Sequence, residues 1–177
     1  ELLKAHQNRH KLDLQVEEKG IDGPVTRVDR YLEELTIETL RKSYKNHSFL
    51  GEEFGLQEGK GHDADWCWVI DPLDGTLNFI NGFPHFCISI AVQHKGVTQH
   101  GVIYDPVKDE LFSASRGRGA MMNQRRIRVN IKDSLENTFL SVGHAYRAKR
   151  NGEIVSYAKN HFESLLAVTE QGAQYRR

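Results

Sequence analysis

The sequence predicts an α+β layered sandwich, an antiparallel sheet with flanking helices, on three observations. Apolar residues recur at helical spacing across residues 28–44, strand-like segments follow closely on one another across 86–115, and a second helical period runs across about 153–166. Helix, meander and helix in succession imply a layered α+β fold. A length of 177 residues suffices for a substantial core, in one domain or one domain and part of another.

Taken in order, Leu2, Leu3 and Ala5 read as the end of a helix, and the polar stretch through Gly20 to Pro24 reads as a mobile loop. Thr26-Arg27-Val28-Asp29 opens the first long helix, with Val28, Leu32, Leu35 and Thr39 on its apolar face and Tyr31 and Leu40 alongside. A short apolar segment, 48–51, ends in Glu52-Glu53, and a polar excursion over 57–65 precedes the central strand. That strand is Trp68-Val69-Ile70, and Asp71-Pro72 is expected to end it, because Pro72 has no N–H to give a ladder. Gly75-Thr76 then leads into LNFI, where a helix can begin. Three strands follow at 86–93, 97–104 and 110–115, and the short links between them favour antiparallel pairing. Gly117 to Gly119 is a turn, 120–129 holds a strand and a basic loop, and 135–143 is a further strand. The last helix carries Ile154, Ala158, Phe162 and Leu165 on one face. A boundary near residue 140 separates an expected metal-binding α+β domain, 1–140, from the start of an α/β domain, 141–177.

Composition narrows the function. Lys plus Arg and Asp plus Glu each total 24, so the formal charge is zero and offers no global case for nucleic acid or anionic membrane as main partner. Cys67 and Cys87 are the only cysteines, both in apolar strand-like segments, and read as buried reduced thiols. A cytoplasmic setting is expected from them. No apolar run approaches the roughly 18 residues that a membrane span needs, and no signal peptide is visible, although a chain opening Glu-Leu-Leu-Lys is expected to lack its natural start.

The chemistry concentrates in WVIDPLDGTLNF, residues 68–79. Asp71 sits at the strand mouth and Asp74 three residues on, where two anions repel unless a divalent cation or a proton comes between them. Hard oxygen ligands point to magnesium. Gly75 permits close approach of a ligand to the backbone, and Thr76 offers a hydroxyl and an N–H suited to an anion. The plainer alternative for both aspartates is a turn in which they bond only local N–H groups. Glu52 and Glu53 alone would be a solvated loop end, but neighbouring strands ending side by side would bring them to the same cleft. Asp29 fits a capping box as readily as it fits catalysis. His6 and His10 lie four apart but read as solvated. The basic patches at Arg125, Arg126, Arg128 and at Arg147, Lys149, Arg150 lack interleaved aromatics, and Gly117-Arg118-Gly119 is a turn and not a dinucleotide fingerprint.

With those residues in view, the chain resembles the inositol monophosphatase family of magnesium-dependent, lithium-sensitive phosphatases, within the sugar-phosphatase fold group that includes fructose 1,6-bisphosphatase. WVIDPLDGTLNF with FPHFCISIAV is similar to the family's central motif, LGEEFG to its upstream glutamate motif, and PVTRVDR to the opening of its first long helix. The likeness runs on through GVIYDPVKDELFSASRGRGA and fades after about Val129. It implies that Glu52, Asp71, Asp74 and the Leu73 carbonyl are metal ligands for Mg2+, and that Gly75 and Thr76 present N–H groups to phosphate, with Asp74 also at the substrate. Thr76 with Asp29 would orient and deprotonate the attacking water, Glu53 would support that water, and Lys19 is similar to a loop lysine near the metals. Asp22 stands where a further metal contact is less well matched. The resemblance further implies a homodimer, a phosphate monoester such as inositol 1-phosphate as substrate and, for some bacterial members, association with RNA polymerase and the transcription antitermination machinery. Family members continue into a Gly-Ser/Thr-Ala-Ala motif and a Trp-Asp-x-Ala-Ala-Gly motif whose aspartate completes the metal site. Neither motif occurs in this sequence, so a fragment lacking its C-terminal part is expected.

Phosphate monoesters react slowly with water and are anionic, so cations, an activated water and in-line geometry are what a protein has to provide. No Cys, Ser or His triad is readable around the motif, which favours direct attack by water over a covalent enzyme. The rival phosphatase type, haloacid dehalogenase, also places two aspartates before Gly-Thr and uses the first as nucleophile. Its motif has one residue between them, where this chain has Pro72 and Leu73.

Overall fold

A computed structural model describes residues 1–18, 24–131, 133–136, 138–141, 147–150, 153–156, 158–171 and 174–176. The chain divides into two compact units, 1–128 and 129–177. In the first, α1 (Leu2–Asn8) is followed by β1 (Glu17–Glu18) and β2 (Pro24–Val25), which pair with each other. Next come α2 (Arg27–Ser43), β3 (Ser48–Gly51), β4 (Gly55–Gln57), β5 (Trp66–Asp74) and the single-turn α3 (Thr76–Ile80). The meander is β6 (Cys87–His94), β7 (Val97–Asp105), β8 (Glu110–Ser115), β9 (Gly119–Met122) and β10 (Arg125–Ile127). These form one eight-stranded sheet in the order β10-β9-β8-β7-β6-β5-β3-β4. It is mixed: β3 and β5 run parallel, and every other neighbouring pair is antiparallel.

The helix α2 starts where the sequence places it, because Thr26 and Asp29 form a reciprocal cap. Thr26 Oγ1 accepts the Val28 N–H at 3.1 Å, and Asp29 Oδ2 accepts the Thr26 N–H at 2.8 Å. Its buried stripe differs from the expected one: Val28, Asp29, Leu32, Glu33 and Ile37 face inward, whereas Thr39 and Tyr31 are exposed and Leu35 is half-buried. Two acids on the inner face, which a hydrophobic pattern reads as outward, rotate the stripe. Val28 and Leu32 pack with Leu2, Leu73, Phe79 and Phe86 in one core cluster, and Ile37 packs with Phe49 and Ile70 in another. Both clusters lie between α2 and the sheet, and fully burying such side chains stabilises the fold by about 1.5–3 kcal/mol apiece.

Pro72 does not end β5. The strand runs on to Asp74 through a shift of register between Asp71 and Asp74, so Pro72 falls where no ladder N–H is called for. His6, read as solvated from its polar surroundings, is half-buried; its ring packs on Phe86 with centroids 4.7 Å apart, burial lowers its pKa, and of the pair only His10 is exposed. Cys67 and Cys87 are free thiols, both half-buried.

In the second unit, β11 (Phe139–Ser141), shorter than the strand expected at 135–143, pairs in parallel with β14 (Gln174–Arg176). A hairpin joins β12 (Arg147–Arg150) to β13 (Glu153–Ser156), and α4 (Ala158–Glu170) follows. The helix expected across 153–166 therefore starts later. Ile154 and Val155 are β-branched and take up antiparallel pairing with Lys149 and Ala148 instead. Among the described residues no helix is long and apolar enough to cross a membrane.

Candidate active site

The parallel pairing of β3 with β5 sets Gly51 opposite Ile70, so the next residues, Glu52 after β3 and Asp71 within β5, follow side by side. The Glu52 N–H extends that ladder to the Ile70 carbonyl at 3.3 Å. The two acidic segments are thereby brought together: the carboxyl groups of Asp71 and Glu52 share a hydrogen bond. Burial pushes the Asp71 carboxyl above the usual carboxylate range, the nearby Asp74 charge adds to the rise, and Asp29 adds a little more. The Leu73 N–H, 3.1 Å from Asp71 Oδ1, and the bond to Glu52 oppose that rise without cancelling it. Asp71 thus makes the local turn that was the plainer reading of this motif, and it also stands amid three other acids.

Asp74 is exposed at the end of β5, with Cys87 Sγ 3.7 Å from its Oδ2. Burial first, and then the surrounding aspartates, push the Cys87 thiol up to about 12, so it stays protonated beside them. Gly75 adopts φ 99°, and a Cβ there would stand 3.0 Å from the His85 carbonyl oxygen, so both conformation and space demand glycine. Thr76 follows at the start of α3. Its hydroxyl has two acceptors, Asp29 Oδ1 at 2.8 Å and the Leu73 carbonyl at 3.0 Å, and one proton for them. Asp29 is itself 3% exposed, and its Oδ2 accepts the Thr26 hydroxyl at 2.6 Å as well as the Thr26 N–H. The capping role and the contact with Thr76 therefore coexist, each using a different oxygen.

Glu53 is half-buried, and its N–H donates to Glu33 Oε2 at 2.8 Å. Sequence reasoning passed over Glu33. The signal lay in its spacing, one helical turn after Asp29 on the same face of α2. Lys19 and Asp22, implied by the resemblance to lie near the metals, fall outside the described residues. A cavity of about 490 Å³ opens beside the strand mouth, lined by Asp74, Gly75, Asn78, His85, Cys87 and Lys108 among others. Lys108 pairs with Asp105 at 2.6 Å.

The donors present suit a hard divalent cation. Glu52, Asp71 and Asp74 are carboxylates, the Leu73 carbonyl lies between the last two, and no described lysine or arginine forms an ion pair with Asp71 or Asp74. Among the described residues no group of three or more His, Cys, Asp or Glu side chains is placed to hold a metal ion as it stands.

A sequence model of the inositol monophosphatase family matches residues 1–173. The Nus factor SuhB of Pseudomonas aeruginosa is 48% identical over 156 residues, which are 88% of this chain and 57% of that protein. That of Escherichia coli strain K12 is 42% identical over 164 residues, 93% of this chain and 58% of that protein. The chain thus spans less than three fifths of the length of either relative. Among solved structures, the extragenic suppressor protein suhB of Bartonella henselae superposes with a TM-score of 0.84 at 33% identity, over 99% of this chain and 64% of that one. The Thermotoga maritima IMPase gives a TM-score of 0.80 at 32% identity, over 99% of this chain and 61% of that one. With one family matched along nearly its whole length, in sequence and in backbone, the chain belongs to the inositol monophosphatase family.

Proposed function

We propose that this chain carries the cation and phosphate sites of a Mg2+-dependent phosphate monoesterase, with inositol 1-phosphate hydrolysed to inositol and phosphate by direct attack of water. The observation that carries the reading is the meeting of Glu52, Asp71 and Asp74 at one strand edge, with the hydrogen-bonded pair Asp29 and Thr76 beside them. When bound, Mg2+ would neutralise the phosphate charge and lower the pKa of water near neutral pH. Glu52, Asp71, Asp74 and the Leu73 carbonyl would hold it. The N–H groups of Gly75 and Thr76 would seat the phosphate, which the bare backbone at Gly75 lets approach closely.

Asp29 would serve as acceptor. With Thr76 Oγ–H donating to Asp29, the Thr76 oxygen keeps lone pairs to accept from the attacking water, and a proton can pass towards the carboxylate. Glu53 would hold the same water from the other side. Asp74 would also touch the substrate, at the mouth of the cavity that it lines with Lys108 and His85. A different family, the haloacid dehalogenase type, supplied the covalent alternative, and its one-residue spacing between aspartates is not met here.

The test is phosphate release from inositol 1-phosphate by the chain extended through the family's C-terminal motifs, with and without Mg2+ and with added Li+. Release that needs Mg2+ and falls with Li+ is expected; release indifferent to Mg2+ overturns the reading. A second reading has its own support, since relatives 42–49% identical carry the name Nus factor. Association with RNA polymerase or antitermination factors would be read by co-purification, and it is compatible with a homodimer and with phosphatase activity.

A further inference from the structure

Glu33 is fully buried, at 0% exposure, on the face of α2 that meets the sheet. Both of its oxygens are used on one turn: Oε2 accepts the Glu53 N–H at 2.8 Å and Oε1 accepts the Phe54 N–H at 3.0 Å. The preceding amide, that of Glu52, is held by the Ile70 carbonyl. Three successive N–H groups of the turn after β3 are therefore fixed, one by β5 and two by a single side chain. The fit is close. A Cβ on Gly51 would stand 1.7 Å from Glu33 Oε1, so this strand end is glycine where the carboxylate lies.

Taking a carboxylate wholly out of water is costly unless good donors meet it, and a neutral acceptor would cap the same turn at lower cost. The cost falls at the turn that delivers Glu52 to Asp71. We propose that Glu33 is a positioning residue for the cation site: its hold on the Glu53 and Phe54 amides fixes the rotation of the turn and so aims the Glu52 carboxylate at Asp71. It touches neither substrate nor metal. The inference rests on the cation site proposed above, and outer-shell partners of metal ligands elsewhere commonly govern affinity about 10–100-fold.

Glu33→Gln keeps the shape but sets an NH2 donor against one of the two amides. Calorimetric titration of the chain with Mn2+ is expected to give at least a roughly 10-fold weaker affinity in this variant. Faster hydrogen exchange at Glu53 and Phe54 would accompany it. Gly51→Ala, which drives the carboxylate away from the opposite side, is expected to do the same and decides the matter should Glu33→Gln fail to fold. Ile37→Val, which trims the buried face of the same helix, is the control: a lower Tm with unchanged Mn2+ affinity. Equal Mn2+ affinity in the unaltered protein and a folded Glu33 or Gly51 variant overturns the role of Glu33 alone. Absence of any Mn2+ binding by the unaltered protein overturns the cation site, and this role with it.

Discussion

The fold treats the acids of α2 and the acids at the end of β5 in opposite ways. Asp29 and Glu33 are the more deeply buried, yet each of their four carboxylate oxygens has a donor from the protein itself: Thr76, Thr26, Phe54 and Glu53. Asp71 is less enclosed, but it is pressed by the charges of Asp74 and Asp29, with the Glu52 side chain at hydrogen-bonding range. Depth of burial is thus a poor guide to what an acid is for. Where donors are built in, the acid is complete and orders its neighbours; where acids face acids, the missing positive charge has to come from outside.

The largest effect expected from that contrast is at the strand mouth. Asp74→Asn should cut Mg2+-dependent phosphate release by roughly 10³-fold or more while Tm holds or rises, because the change removes a charge that its neighbours repel. Phosphate assay and thermal unfolding on the same sample check both halves, and a matching fall in Tm would erase the distinction between the two sets of acids. Glu33→Ala should behave the other way. Two part-buried amides lose their acceptor, and stability should drop by about 2 kcal/mol, read by urea unfolding. Thr26→Ala sharpens the comparison on a smaller scale: loss of the cap should cost about 1–2 kcal/mol, and Asp29 would keep Thr76 but lose a donor on its other oxygen.

The smallest effect is at Asp105. Burial raises its carboxyl, but the Lys108 ammonium and the N–H groups of Lys108 and Val107 together outweigh burial and hold it below the ordinary value of 3.8. A carboxyl held low in the folded state adds stability that is present above pH 3.8 and is lost as pH falls through its folded pKa. Lys108→Ala should therefore cost less than about 1 kcal/mol at pH 7, since the lysine is half exposed, and its difference from the unaltered protein should vanish below that window. A difference that persists at low pH would mean that the lysine acts through packing.

Local patterns made much of this legible in the sequence. The cap at Thr26 and Asp29, the meander strands, and the pairing of two strand ends that each finish in acids all depend on spacing along the chain. What was not legible depended on long-range partners. Pro72 looked like a terminator because the register shift that accommodates it is a property of β5 and β6 together. Ile154 matched a helical period by accident, and β-hairpin pairing with Lys149 overrode it. Helical spacing after Asp29 could have placed Glu33 on the inner face, but its donors lie twenty and twenty-one residues away, beyond any helical or turn rule.

Crystals of the protein soaked in Mn2+ and measured at the manganese edge test the central claim most directly. The account predicts anomalous density at the edge shared by β3 and β5, about 2.0–2.3 Å from oxygens of Glu52, Asp71 and Asp74, with the Leu73 carbonyl turned to it. Density elsewhere, or none at that edge, would contradict it.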